Sequence, residues 1–168
     1  MNSKVKKICL AGILIALAVT SSTFYIPIGA AKCFPIQHLI NVLTAVLLGP
    51  WYGVGVAFCT SIIRVMLGTG TLLAFPGSMF GALLAGLLFL KSKKLVFAFV
   101  GELVGTGIIG ALAAYPIAVL LMGRQAALFG FIIPFGISSA VGGVVAIIII
   151  SIMDRTKVIK VLRKENGI

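Results

Sequence analysis

The chain reads as an all-α integral membrane protein: one transmembrane domain over residues 1–168, a bundle of about six helices with both termini on the cytoplasmic side. Three observations predict this. The composition is 61% hydrophobic and only 10% charged, with a mean hydropathy of +1.24, far from the mix of a water-soluble domain. The apolar residues fall into six runs, near 8–26, 35–49, 51–68, 76–90, 95–120 and 126–153, most of them close to the ~20 residues a bilayer-spanning helix needs. The basic residues gather between alternate runs, as they do on cytoplasmic flanks.

Taken in order, Lys4, Lys6 and Lys7 precede the first run, and its apolar character continues through Phe24, Tyr25 and Ile26. That continuation weighs against reading Lys4–Ala18 as a cleaved leader ending at Ala16-Leu17-Ala18. The second run is short and starts after Phe34-Pro35, where the proline biases the aromatic to extended backbone and opens a helix. Gly49-Pro50 divides the second run from the third, although a proline tolerated inside a membrane helix would leave five helices rather than six. Phe75-Pro76 repeats the Phe-Pro form before the fourth run, which Lys91, Lys93 and Lys94 close. The fifth run carries Glu102. The sixth is followed by Arg155, Lys157, Lys160, Arg163 and Lys164. All three basic clusters lie on one side only if an even number of helices separates them, and six helices satisfy this.

The loops at 27–34, 68–75 and 121–125 then face outward, and Lys32, Arg64 and Arg124 are the basic residues lying against the charge bias. The net charge of +11 does not indicate a nucleic-acid partner, because the cations sit between apolar runs instead of spreading over a folded surface. Cys9, Cys33 and Cys59 lack metal or redox spacing. Cys33 with His38 alone makes a poor metal site. No phosphate-binding glycine loop, acidic pair or Ser/His/Asp arrangement is present, so the sequence indicates neither an enzyme nor a cofactor. Uphill transport would need energy from another protein.

Small residues recur at helical spacing: Gly12 and Ala16; Gly77, Gly81 and Ala85; Gly101 and Gly105; Thr106, Gly110 and Ala114; Ser139 and Gly143. Such ridges let helices pack closely within a bundle, or mark a docking face where they meet lipid.

The polar residues cluster in two stretches, 32–41 and 67–78, which the topology brings to the outer side. Polar groups in hydrocarbon cost several kcal/mol unless paired, so they line interiors or ligand sites. Gln37, His38 and Asn41 are spaced to share one face of a helix start. Gly68, Gly70 and Gly77 allow close backbone approach, so that Thr69, Thr71 and Ser78 present hydroxyls beneath a lid formed by the first loop; Thr71 and Ser78 can equally be helix caps. Arg64 either holds a polar or anionic ligand group or clamps carbonyls of the Gly-rich loop. Tyr115, Phe131, Phe135 and Ser138 can stack on or hydrogen-bond a small ring, or simply pack. Glu102, several residues into its helix from the inner side, is expected far from Arg64 in depth, snorkelling toward Lys93 or Lys94, with a proton or ligand role as the alternative.

The segment Pro27–His38, with Asn41, Leu48-Gly49-Pro50-Trp51-Tyr52, Arg64, Gly68-Thr69-Gly70-Thr71, Ala74-Phe75-Pro76-Gly77-Ser78, Gly101-Glu102, Gly105-Thr106 and Tyr115-Pro116, resembles the ThiW branch of the substrate-binding S components of energy-coupling factor transporters. The resemblance spans nearly the whole chain. It implies binding of the thiamine precursor hydroxyethyl-methylthiazole, with Phe34, Gln37, His38, Asn41, Arg64, Thr69, Thr71, Phe75, Ser78 and Tyr115 as candidate ligand contacts. It also implies docking, through Gly12 and Ala16, onto a transmembrane coupling subunit carrying two cytoplasmic ATPases. Gly12 departs mildly from the AxxxA-like ridge of related proteins. Thiamine, a phosphorylated or carboxylated ligand favoured by Lys32 and Arg64, a structural membrane subunit, and an autonomous channel or carrier remain alternatives.

Overall fold

A computed structural model describes residues 3–28 and 31–156. Gly29 and Ala30 of the first loop, and Lys157, Lys160, Arg163 and Lys164 of the last basic cluster, lie outside the described residues. Six helices follow one another up and down: α1 (Ser3–Thr20), α2 (Pro35–Leu48), α3 (Pro50–Met66), α4 (Ala74–Ser92), α5 (Leu95–Leu121) and α6 (Ile132–Arg155). A two-stranded antiparallel hairpin, β1 (Ile26–Ile28) and β2 (Ala31–Cys33), fills the loop between α1 and α2, with Pro27 opposite Lys32. The sequence reading had this stretch as an irregular loop. Three residues per strand carry no alternation long enough to reveal a strand.

Four helices are long and apolar enough to cross a membrane, namely α4, α5, α6 and α1 continued by a tight turn through Thr23. The other two are shorter. At 1.5 Å per residue, the 14 residues of α2 rise only about 21 Å, less than the ~30 Å hydrocarbon core. Burial explains how this is tolerated: every α2 residue from Ile40 to Leu48 is buried, and the helix packs against all five others. Its neighbours take the lipid exposure, with Leu17, Phe58, Val100 and Ile148 all facing outward. The core cluster joins Leu14 and Ala18 of α1 to Val42, Val46, Val56, Phe89 and Ile150, so α1 is an integral wall of the bundle. Gly49 separates α2 from α3 with a φ of +92°, a turn that a β-carbon would strain.

The small-residue ridges of α4 and α5 zip together. A β-carbon on Gly101 would strike Leu84 and Ala85, one on Gly105 would strike Phe80 and Gly81, and one on Gly110 would strike Pro76 and Gly77. Along α4 the partners step back by four residues each time, whereas along α5 the steps are four and then five. The additional residue is absorbed where α5 widens to π-type turns over Gly105–Gly110, as such bulges do. A second widened stretch, Ile117–Leu121, follows Pro116, whose missing N–H loosens the ladder.

Gly81 is the tightest of these positions, because an added methyl would meet the Thr106 hydroxyl and lie 2.7 Å from both Glu102 carboxylate oxygens. Gly81→Ala is expected to cost about 1–3 kcal/mol by overpacking. Gly55→Ala, whose β-carbon meets nothing within 4 Å, is the control. Thermal unfolding in detergent should show a lowered midpoint for G81A only, and equal midpoints would refute the packing account.

Candidate functional site

The site grows from the start of α2. Phe34 is non-helical (φ −121°, ψ 73°) with Pro35 at the first helical position, which places Gln37 in the first turn and His38 and Asn41 just beyond it. The entry is pinned to α6: the Phe34 N–H donates to Ser138 Oγ at 2.8 Å, and the Cys33 thiol donates to the Pro134 carbonyl at 3.2 Å. Burial pushes the Cys33 thiol pKa up, which keeps the donating proton in place.

Arg64, only 2% exposed, organises one half of the site. Its guanidinium donates to Gln37 Oε1 at 3.1 Å and more weakly to the Thr69 carbonyl at 3.4 Å, and it lies 4.0 Å from the Phe34 ring centroid. The cation-π contact and two carbonyl acceptors stabilise a cation that no carboxylate bonds among the described residues. The Gly-rich loop wraps back onto the same residue, since Thr69 N–H and Gly70 N–H donate to the Arg64 carbonyl at 2.9 and 3.0 Å. Ser22 ties the end of α1 to this loop, its hydroxyl 3.0 Å from that of Thr69.

Glu102 organises the other half, and here the structure corrects the sequence reading. Its side chain is completely buried and does not snorkel toward Lys93 or Lys94. Glu102 Oε1 lies 2.8 Å from His38 Nδ1, 3.0 Å from the donating Asn41 amide and 3.0 Å from the Thr106 hydroxyl. Asn41 also donates to the Ser78 carbonyl at 3.1 Å, and the Thr106 hydroxyl reaches the Gly77 carbonyl at 2.8 Å. The shortness of α2 is the reason. Asn41 lies about 9 Å below the outer start of α2 and Glu102 about 10 Å above the inner start of α5, so the two meet near the middle of a thin bundle.

Between these halves and the outer surface lies a cavity of about 410 Å³, a size that suits a small ligand. Phe34, Gln37, His38, Arg64, Thr69, Thr71 and Ser78 line it, as the sequence suggested, together with Phe131, Phe135 and Ser138. Three candidates stand elsewhere. Asn41 sits behind His38, bonding Glu102 and Ser78, so the expected common face for Gln37, His38 and Asn41 is divided between two partners. Phe75 is helical, because α4 begins at Ala74 and Pro76 occupies its first turn, where its missing N–H costs nothing; its ring packs on Phe58 at 5.7 Å. Tyr115 is half-buried and off the lining: its neighbours Ala114 and Ala118 face inward, leaving it about 100° around the helix from Ala114. The sequence reading missed Glu102 as part of this network, although it is the one acid within the apolar runs. It had Lys32 only in the alternative of an anionic ligand, and it passed over Arg124, Leu73 and Pro134 as lining residues.

Not every buried polar atom is satisfied within the protein. Gln37 Nε2 and Arg64 Nε, both on residues lining the cavity, have no partner. Buried donors left unpaired are costly, and both atoms are enclosed beneath the cavity wall. Gly12 and Ala16 lie on the exposed face of α1, where a β-carbon at position 12 meets nothing within 4 Å.

A multi-pass bundle with a ligand-sized cavity lined by polar and aromatic side chains at one end defines a membrane protein that handles a small molecule. The family model for thiamine-precursor transporter proteins (ThiW) matches residues 8–156, from within α1 to just past α6. The chain belongs to that family and is a membrane transport protein for a thiamine precursor. No curated protein and no solved structure gives a significant match.

Removing the Glu102 carboxylate takes the acceptor from His38 Nδ1–H and from one Asn41 amide N–H, while the Thr106 hydroxyl keeps the Gly77 carbonyl. Glu102→Ala is expected to cost about 2–5 kcal/mol, since each of two buried donors left unsatisfied costs about 1–3 kcal/mol. Glu102→Gln, which keeps one acceptor oxygen, should cost less. Thermal unfolding with and without ligand reads the order wild type, E102Q, E102A; an E102A protein as stable as wild type would sink the network.

Proposed function

We propose that the chain is the substrate-binding subunit for the thiazole half of thiamine, hydroxyethyl-methylthiazole, taken from the outer face. The observation that carries this is a cavity on whose wall the polar side chains of Gln37, His38 and Arg64 stand beside the aromatic rings of Phe34, Phe131 and Phe135. A thiazole alcohol has the matching chemistry. Its ring nitrogen and hydroxyl oxygen accept hydrogen bonds, and its flat apolar ring packs on aromatic side chains. His38 donates through Nδ1 to Glu102, leaving its other nitrogen for the ligand hydroxyl. The paired strands β1 and β2 cover the bound ring.

Energy comes from partners: a transmembrane coupling subunit with cytoplasmic ATPases. Support comes from the free face of α1. Gly12, Ile8 and Ile15 border an apolar groove against Trp51, Tyr52 and Gly55 of α3, and the small residues Gly12 and Ala16 leave room for a partner helix to approach closely.

Calorimetric titration of the purified protein with hydroxyethyl-methylthiazole, and with thiamine for comparison, tests the ligand. The thiazole should bind and intact thiamine should not; thiamine binding in its place would overturn the assignment. Gln37→Ala should weaken thiazole binding about tenfold, equivalent to one net hydrogen bond of roughly 1.4 kcal/mol. A Gly12→Leu/Ala16→Leu variant should bind ligand normally yet lose uptake in vesicles supplied with the coupling subunit, ATPases and ATP. Uptake that persists without the ATPases would identify an autonomous carrier.

A further inference from the structure

The cavity carries more positive charge than a neutral alcohol requires. Lys32, Arg64 and Arg124 all line it, and no acid does. Among the described residues the acids are Glu102, enclosed behind His38, and Asp154, at the opposite end of the bundle near the close of α6. Arg64 is engaged by Gln37, Thr69 and the face of Phe34. The other two cations are less committed.

Arg124 is exposed, and its side chain has no hydrogen bond or ion pair among the described residues. Its backbone N–H donates to the Ala118 carbonyl at 2.9 Å, anchoring the turn at Gly123 that leads away from α5. Lys32, on β2, is also exposed; its ammonium lies 4.3 Å from the centroid of the Tyr25 ring with no carboxylate beside it. These cations occupy the end of the bundle opposite Lys4, Lys6, Lys7, Lys91, Lys93 and Lys94, against the charge distribution that orients the other helices. Low-dielectric walls without a counter-charge focus a positive potential at the mouth. The volume agrees, because a single five-membered ring with two short substituents leaves much of the 410 Å³ unfilled.

We propose that the mouth, built by Lys32 and Arg124, is a subsite for an anionic group, phosphate or carboxylate, carried by the ligand whose ring occupies the floor beside Gln37 and Arg64. This rests on the thiazole reading above. Lys32 belongs to the hairpin and Arg124 to the α5–α6 connection, so an anion held by both joins two separate segments over the cavity. The neutral alcohol then fills the floor alone, and a thiazole bearing a negatively charged side chain fills floor and mouth together.

The test is titration of the full chain with four probes: hydroxyethyl-methylthiazole, its phosphate monoester, the corresponding thiazole carboxylic acid, and inorganic phosphate. One anionic thiazole should bind at least tenfold tighter than the alcohol. That advantage should shrink as salt rises and collapse toward unity in a Lys32→Gln/Arg124→Gln variant. Which of ester and acid gains identifies the anion. An alcohol that binds as well as or better than both anionic thiazoles overturns the subsite while leaving the thiazole reading intact. Failure of every ring-bearing probe overturns the thiazole reading and the subsite with it. Inorganic phosphate binding as tightly as the ester overturns the ring-linked form.

Discussion

A carboxylate buried in the middle of a membrane bundle dictates much of the arrangement around it. Glu102 can stay in a water-poor interior only if donors surround it, and α2 and α5 supply them through His38, Asn41 and Thr106. Asn41 and Thr106 each pass the connection on to α4 by meeting the carbonyls of Ser78 and Gly77. Three helices are thereby held in register by one side chain. The close approach this requires explains why the α4–α5 contact is made of glycines, and why α5 widens by one residue to keep the match.

The same constraint positions the site. Once α2 is fixed by Glu102 on one side, its neighbouring position, Gln37, is turned toward Arg64 on α3. A helix step of about 100° separates adjacent residues, so Gln37 and His38 inevitably serve different partners. Arg64 has no carboxylate of its own and is stabilised by an aromatic face and carbonyl oxygens. These weaker partners leave one donor on the guanidinium and one on the Gln37 amide unused among the described residues, and both residues line the cavity. A fully satisfied network would be more stable alone and would have nothing to offer a ligand.

Charge is distributed along the bundle axis with equal economy. The basic flanks of α1 and α4 lie at one end with the exposed Trp51, in keeping with an aromatic side chain at a membrane–water interface. The cavity lies at the other. Between them the surface is almost wholly apolar, so ligand recognition at one end and any partner contact along α1 and α3 are physically separate.

The sequence by itself determined the class, because hydropathy and the parity of lysine clusters depend only on how residues are ordered along the chain. It also located the two polar stretches that meet at the cavity, since Phe34-Pro35 and the Gly68–Gly70 segment break helices by local backbone chemistry. The family was legible in the combined motifs across the chain. Only the tertiary structure decided that Glu102 joins His38 and Asn41, because that pairing depends on the shortness of α2 relative to its neighbours and on depth, which no local pattern encodes. It likewise separated lining from packing: Phe75 and Tyr115 face away, while Lys32 and Arg124 face in. Those orientations follow from helix rotation and from where α4 begins, and both are set by contacts between residues far apart in the chain.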